Sequence, residues 1–194
     1  MFKAGVENAS YYVAKGYDKQ YSKDGVIWAD YENTFPNLSD NTVLYGHNWH
    51  NVFTPRTMGN MHTNDTMFSL VMSYHHPSFA QENPFIYFST TEKDYVFQVF
   101  ASFYTDLAFT YNYANMPKDV FQRTIAEAKA KSLVNYNVPV TTSDHILTLS
   151  TCTRYYGNTS NQRFVVMAKM VPEGTPSTVI GTHTKAIAYN ASLN

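Results

Sequence analysis

The sequence is poor in cysteine, with a single residue, Cys152, among its 194 positions. One cysteine excludes an internal disulfide and a zinc site built from several thiolates. A charge excess is also missing, because 14 Lys and Arg residues nearly balance 15 Asp and Glu residues. The chain therefore has no electrostatic footprint for nucleic acid or for an anionic membrane. Apolar runs of roughly 18 residues, long enough to span a bilayer, are absent as well, so we expect the chain as given to be soluble.

Aromatic residues are abundant, with 16 Tyr and 13 Phe, which favours β structure and aromatic-lined grooves. Runs rich in β-branched and aromatic residues, separated by Gly, Pro and Asn, predict strands at 25–30, 42–45, 85–90, 95–103, 145–152 and 163–171. One helix is predicted from Pro117 to about Ser132, where proline suits the first turn and Phe121, Ile125 and Ala128 share one face. Many short strands with one helix predict a single β-barrel-like domain.

Cys152 ends an apolar, β-branched run that begins at His145, and Arg163 opens the next such run. The ten-residue polar loop 153–162 between them predicts an antiparallel pair. Directly opposed side chains in such a pair have Cβ atoms roughly 4.5–5.5 Å apart, so a thiol and a guanidinium could share one face. A neighbouring cation stabilises a thiolate, whereas a lone cysteine is more often a buried small hydrophobe. Spacing alone leaves both interpretations of Cys152 open.

Three segments of the chain resemble the sortase family and occur in the order that this family has. Thr148-Leu-Ser-Thr-Cys152 matches the T-L-x-T-C motif of sortases at every fixed position. Tyr45-Gly-His47-Asn48 is similar to their histidine segment, about a hundred residues upstream, and Arg163 falls where sortases carry their arginine. The likeness extends over roughly residues 5–171. The long insertion before the cysteine, with a helix in it, is similar to class B sortases in particular.

The resemblance implies a mainly β fold, a single sortase-type closed β-barrel of about eight strands. A helix in the long connection before the cysteine strand and short peripheral helices complete this expected fold. The catalytic domain would cover residues 1–171, and residues 172–194 would form a C-terminal extension to which the resemblance assigns no role. Sortases of this kind carry an N-terminal membrane anchor. The resemblance therefore implies a place on the extracellular face of the membrane, held by a segment that is not among these residues.

The resemblance also implies a cysteine transpeptidase that cleaves a cell-wall sorting signal after threonine, in a motif such as N-P-x-T-N or N-P-x-T-G. Cys152 would attack as a thiolate and form a thioacyl intermediate, His47 would protonate the departing amine, and Arg163 would face the developing oxyanion. The acceptor would be an amine of peptidoglycan or its precursor, or a pilin lysine, and no cofactor is implied. Residues 153–156 are Thr, Arg, Tyr and Tyr, so the acidic residue that some class B sequences carry after the cysteine is absent.

Six residues are predicted to contact the substrate because they match or adjoin positions with that role in class B sortases: Asn8, Tyr12, Thr110, Tyr111, Ser150 and Thr151. Ser150 is the variable position of the cysteine motif. Tyr12 replaces the leucine of a class B segment, Asn-x-x-Tyr-Leu, that begins here at Asn8. Thr110 and Tyr111 belong to a loop, 105–111, that matches the family's specificity loop approximately. Ordinary loop or barrel packing is the alternative role for each of the six.

Two other functions remain open at this point. The same residues could serve a cysteine hydrolase that uses water as acceptor, or the chain could be a non-catalytic cell-wall-binding barrel whose tyrosines act as stacking platforms. His47 and His50 have a spacing found in metal sites, but no Glu is interleaved as in H-E-x-x-H, so we predict no metal site.

Overall fold

The computed structural model describes residues 2–3, 11–175 and 188–189. The strands in these residues are β1 (Phe2–Lys3), β2 (Trp28–Ala29), β3 (Asn41–Tyr45), β4 (Phe85–Ser89), β5 (Asp94–Thr105), β6 (Val134–Asn135), β7 (Ile146–Cys152), β8 (Arg163–Met170) and β9 (Ala188–Tyr189). The α-helices are α1 (Pro77–Glu82) and α2 (Lys118–Lys131), and short 3-10 helices lie at Tyr11–Ala14, Met58–Asn60 and Val71–His75. The protein is mainly β with a few peripheral helices, as expected.

Seven of the strands in the described residues form one mixed sheet in the order β1-β2-β3-β7-β8-β5-β4. The pairs β1–β2 and β3–β7 are parallel and the others are antiparallel. This sheet curls into a half-barrel. The expected closed barrel of about eight strands is not confirmed, because in the described residues the sheet is open, with β1 and β4 as its edges. Closure depends on the tilt and stagger of the strands, which the hydrophobic pattern of each strand does not reveal.

The predicted antiparallel pair around the cysteine is confirmed as β7 and β8, with Cys152 directly opposite Arg163. β7 lies between β3 and β8, and every residue from Ile146 to Thr151 is buried. A strand covered on both faces needs the continuous apolar and β-branched run that this segment has. Only the last residue of β7, Cys152, is exposed, so the thiol stands at the end of a rigid central strand.

The predicted helix before the cysteine strand is confirmed as α2, with Pro117 as its N-cap. Its predicted apolar face, Phe121, Ile125 and Ala128, is buried, and the helix packs against β5. Burial of a phenylalanine side chain stabilises the fold by roughly 1.5–3 kcal/mol. α2 therefore covers one face of the sheet and fixes the connection that leads into β7.

A short second sheet involves the C-terminal segment. β9 pairs antiparallel with β6, with Tyr189 opposite Val134 and Ala188 opposite Asn135. Two residues of the predicted extension 172–194 thus lie beside the connection between α2 and β7, while the division of the chain at residue 171 stays a prediction. In the described parts of the chain, none of the helices has both the length and the apolar character needed to cross a membrane.

Candidate active site

The predicted catalytic side chains come from strands that end at the same edge of the sheet. β3 and β7 are parallel, with Tyr45 opposite Ser150, so their C-terminal ends lie side by side. His47 follows β3 by two residues, and Cys152 is the last residue of β7. β8 runs antiparallel to β7, which brings its first residue, Arg163, to this edge as well. The sheet thus collects residues that are far apart in the sequence.

A cavity of about 470 Å³ opens at this edge. The predicted catalytic residues His47, Cys152 and Arg163 all line it. Three of the predicted substrate contacts line it too, namely Tyr111, Ser150 and Thr151. Apolar wall is added by Val13, Trp28 and Leu107. The cavity therefore offers an extended ligand both apolar surface and an accessible thiol.

The other three predicted substrate contacts do not lie in this cavity or cannot be placed there. Tyr12 is 9% exposed and packs with Trp28, while its neighbour Val13 lines the cavity. Thr110 borders a different cavity, between its loop and α2, and its carbonyl accepts the hydroxyl hydrogen of Thr124 at 3.4 Å. Asn8 lies outside the described residues. Substrate contact by these three residues stays a prediction.

The segment that carries the histidine is tied to the cysteine strand by hydrogen bonds. The Thr151 hydroxyl donates to the Gly46 carbonyl at 2.7 Å. The buried Asn48 side chain donates to the Cys152 carbonyl at 3.4 Å, and its Oδ1 accepts the backbone N–H of Asn51 at 3.0 Å. These bonds fix the position of the histidine loop relative to the thiol. Asn48 adjoins the histidine in the motif, and that adjacency was the only sequence signal for its role.

The His47 ring is held by a backbone carbonyl and two indoles. Its Nε2 lies 2.7 Å from the Val13 carbonyl oxygen. The ring centroid lies 4.7 Å from that of Trp49 and 6.1 Å from that of Trp28. In the part of the chain that the structure describes, no carboxylate forms a hydrogen bond or ion pair with this ring. Sequence reasoning missed Val13 because every residue has a carbonyl, so a backbone contact leaves no pattern in the sequence.

Arg163 is half-buried at the start of β8. Its Nη1 donates to the carbonyls of Ser160 and Gln162, both at 2.9 Å. These bonds occupy one side of the guanidinium fork and anchor the loop between β7 and β8. A guanidinium has five N–H donors, and among the described residues the Nε and Nη2 hydrogens have no acceptor, so they are available to a ligand in the cavity.

Two buried hydroxyl groups brace the wall of the cavity. The Tyr111 hydroxyl and the Ser150 Oγ lie 2.8 Å apart, and both residues are at most 3% exposed. Burial raises the pKa of Tyr111, although the Ser150 hydrogen bond and the Arg163 charge oppose that rise. Tyr111 is therefore a neutral hydroxyl that joins the loop before α2 to the cysteine strand.

One acidic side chain, Asp30, belongs to the cavity wall although sequence reasoning did not select it. Its Oδ2 accepts the Tyr45 hydroxyl hydrogen at 2.9 Å, and its Oδ1 accepts the Glu32 backbone N–H at 3.0 Å. Both carboxylate oxygens therefore accept hydrogen bonds from residues on the β2–β3 side of the wall. Across the described residues, no group of three or more His, Cys, Asp or Glu side chains is arranged to hold a metal ion.

Comparisons with known proteins give the family of the chain. The family model described as "Sortase domain" matches residues 5–171. The chain is similar to sortase B of Staphylococcus aureus (strain NCTC 8325 / PS 47), with 33% identity over 162 residues that cover 82% of this chain and 60% of that protein. It is also similar to sortase B of Listeria monocytogenes serovar 1/2a, with 29% identity over 143 residues that cover 73% of this chain and 53% of that protein. The chain thus spans less than two thirds of the length of either relative.

A solved structure described as a Staphylococcus aureus sortase B–substrate complex resembles the present fold with a TM-score of 0.70 and 30% identity. The likeness covers 85% of this chain and 70% of that one. The family match, the relatives and the fold point in the same direction as the cysteine, histidine and arginine segments of the sequence. The chain therefore belongs to the sortase family, and within that family to class B.

Proposed function

We propose that this chain is a cysteine transpeptidase that cleaves a sorting signal after threonine and transfers the acyl part to an amine. The observation that carries the proposal is that Cys152, directly opposite Arg163 in the sheet, shares one cavity with His47. The exposed thiol can meet a ligand, and each of the other two residues supplies a function that acyl transfer from a peptide requires.

The first half-reaction forms a thioester. The Cys152 thiolate attacks the carbonyl carbon of the threonine, and the carbonyl oxygen becomes an oxyanion that the free N–H groups of Arg163 can stabilise. Removal of one such donor from an enzyme costs on the order of 2.7–4 kcal/mol of transition-state stabilisation. When the C–N bond breaks, the imidazolium of His47 gives its proton to the departing amine.

The second half-reaction reverses these roles. Neutral His47 removes a proton from the incoming amine, whose nitrogen attacks the thioester carbonyl. The new amide forms as the Cys152 thiolate leaves, so the enzyme returns to its starting state. An amine rather than water as acceptor distinguishes this reaction from hydrolysis.

The relatives support the choice of substrate class. The S. aureus sortase B structure described above is a complex with substrate, and by analogy we propose a sorting-signal peptide of the N-P-x-T-N or N-P-x-T-G type as the ligand of this cavity. As acceptor we propose an amine of peptidoglycan or of its precursor. Such a reaction belongs at the extracellular face of the membrane, where we place residues 1–171 as the catalytic domain.

The proposal is tested with a panel of fluorogenic sorting peptides, with and without a glycine oligomer or a diaminopimelate-containing peptide. We expect ligated product to exceed hydrolysis when amine is present, and intact-protein mass spectrometry to show an acyl adduct on Cys152. The Cys152→Ala variant should keep the fold and lose both adduct and product. Cleavage that yields only hydrolysis would indicate a cysteine hydrolase, and cleavage by Cys152→Ala at the original rate would refute the mechanism.

A further inference from the structure

We propose that the backbone carbonyl of Val13 takes the place of the missing carboxylate and fixes which nitrogen of His47 handles protons. The close approach of this carbonyl requires the absence of a side chain at Gly25, and the Trp49 indole lies beside the His47 ring, so we assign both as positioning residues. The proposal rests on the transpeptidase function given above. It specifies, in addition, that Nδ1 of His47 is the atom that takes and gives the proton.

The contact between His47 and Val13 determines the tautomer. The two atoms, His47 Nε2 and the Val13 oxygen, lie 2.7 Å apart, a typical hydrogen-bond distance. A carbonyl oxygen can only accept, so Nε2 must carry the hydrogen in the neutral ring. Nδ1 is then the unprotonated nitrogen, and it is the one that can take a proton from an amine or, once protonated, give one back.

A carbonyl suits this task because it accepts the Nε2 hydrogen without adding a negative charge beside the site. The bond persists in both states of the ring, since Nε2 is protonated in the imidazole and in the imidazolium. Proton transfer at Nδ1 therefore requires no rearrangement at Nε2. In serine proteases a buried aspartate likewise fixes the histidine tautomer by accepting a hydrogen bond from one ring nitrogen. Loss of the correct tautomer there lowers kcat by about 10⁴-fold.

Gly25 leaves the space that the Val13 carbonyl occupies beside the histidine. Gly25 has φ +61°, in the left-handed region that favours glycine. A Cβ at this position would lie 2.7 Å from the Val13 oxygen and 2.8 Å from the Tyr12 oxygen. Both are backbone atoms of the 3-10 helix Tyr11–Ala14, which cannot swing aside as a side chain can. The absence of a side chain at position 25 therefore lets this helix approach the histidine.

Trp49 limits rotation of the ring about the same hydrogen bond. Its indole lies against the imidazole at 4.7 Å with an interplanar angle of 37°. Its backbone N–H donates to the Ser69 hydroxyl at 3.3 Å. The Lys23 ammonium lies over the indole ring, 5.8 Å from its centroid. This flat neighbour in contact with the imidazole restricts its rotation while Nε2 stays on the carbonyl.

The first test uses the unmodified protein and needs no activity measurement. Long-range ¹H–¹⁵N spectra distinguish the two tautomers of a neutral histidine, and the His47→Gln variant identifies the signals of His47 among the 7 histidines. We expect His47 to be in the Nε2–H form. A Nδ1–H form, or an equal mixture of the two, would overturn the proposal.

The second test is Gly25→Ala, with Gly59→Ala as the matched control, because nothing lies within 4 Å of a Cβ at position 59. Displacement of the Val13 carbonyl should give a mixed tautomer and lower kcat by about 10- to 100-fold, as small misplacements of catalytic groups do. We expect KM to rise as well, because Val13 lines the cavity, so the tautomer is the readout that isolates the effect on His47. Gly59→Ala should match the original protein. An unchanged tautomer and kcat in folded Gly25→Ala would contradict the role of Gly25.

The third test does not depend on the folding of a glycine variant. Trp49→Phe keeps a flat ring beside the imidazole and should retain kcat within a few fold, whereas Trp49→Ala should lower kcat by about 10-fold or more. Equal kcat in the two variants would contradict the role of Trp49. If the spectra show the wrong tautomer while Cys152-dependent transfer to amines persists, the proposal fails and the transpeptidase function stands. If the tautomer is correct but no transfer occurs, the transpeptidase function fails instead.

Discussion

Arg163 serves two purposes at the scale of a single residue. Two carbonyls of the loop between β7 and β8 hold its Nη1, and the residue lines the cavity that contains Cys152. Arg163→Lys keeps the charge but replaces a planar fork with a single ammonium on a flexible stem. We expect kcat/KM in the peptide-transfer assay to fall by about 10²–10³-fold, the loss typical of an oxyanion donor.

The matched control for this variant is Arg154→Lys. Arg154 lies in the same loop and also donates to a loop carbonyl, that of Thr159 at 2.7 Å, but it does not line the cavity. We expect Arg154→Lys to keep kcat/KM within a few fold. Near-normal kcat/KM in Arg163→Lys would show that Arg163 contributes only diffuse charge.

The hydroxyl pair of Tyr111 and Ser150 gives a second prediction at this scale. Tyr111→Phe leaves the buried Ser150 hydroxyl without its partner at 2.8 Å. We expect the free energy of unfolding, measured by urea denaturation, to fall by about 1 kcal/mol or more. Adding Ser150→Ala removes the orphaned group, so the double variant should lose less than the sum of the two single losses. Strict additivity would mean that the two hydroxyls do not interact in solution.

At the scale of elements, the end of β3 depends on a glycine. Gly46 separates the strand from His47, and a Cβ added there would lie 2.7 Å from the buried ring of Phe68. The Phe68 backbone N–H also donates to the His47 carbonyl at 2.8 Å, so a displaced phenylalanine would pull on the histidine segment. The close fit of β3 against the segment before the 3-10 helix Val71–His75 thus sets the place of His47.

We therefore expect Gly46→Ala to lower the free energy of unfolding by about 1–3 kcal/mol, the usual cost of overpacking, and to lower kcat as well. Thermal denaturation and the transfer assay measure the two effects. In the Gly46→Ala/Phe68→Leu double variant the smaller leucine leaves room for the added Cβ. This variant should recover part of the lost stability and part of the lost kcat. Failure of the smaller side chain to restore any stability would mean that strain at Gly46 arises elsewhere.

At the scale of the whole molecule, His75 makes stability depend on pH. Its ring lies between β5 and the loop after β7, with the Tyr104 hydroxyl 3.1 Å from Nδ1 and the Tyr155 ring centroid at 5.3 Å. Burial, and then repulsion from His76, lower the pKa of His75 to about 4. An unfolded histidine has a pKa of roughly 6.5, so between these two values the unfolded chain binds more protons than the folded chain.

The contribution of the neutral His75 ring to the free energy of unfolding is complete above a pH of about 6.5. It is lost as the pH falls towards 4. We expect the loss to be on the order of 1–2 kcal/mol, because the ring is partly exposed and solvent screens it. Urea midpoints of the original protein and of His75→Gln, measured between these pH values, should converge as the pH falls. His62→Gln, at an exposed histidine, serves as the control for the substitution itself. Parallel curves for the original protein and His75→Gln would contradict this prediction.

The sequence by itself determined the features that depend on local periodicity and on short motifs. Alternating and continuous apolar runs identified β7 and β8, and the polar loop between them identified the pair that sets Cys152 opposite Arg163. A period of 3.6 residues placed the buried face of α2 correctly. The spaced cysteine, histidine and arginine segments were sufficient to indicate the family, because a motif is defined by the identity and spacing of its side chains.

Only the tertiary structure decided how distant segments meet. The parallel pairing of β3 with β7 places His47 at the edge of the sheet that carries Cys152. The packing of the 3-10 helix Tyr11–Ala14 directs Val13, and not Tyr12, to the cavity. Pairing between strands far apart in the sequence, and contacts made by backbone atoms common to all residues, leave no local pattern. The hydrogen bond between the His47 ring and the Val13 carbonyl, and the open edge of the sheet, could therefore be found only in the folded molecule.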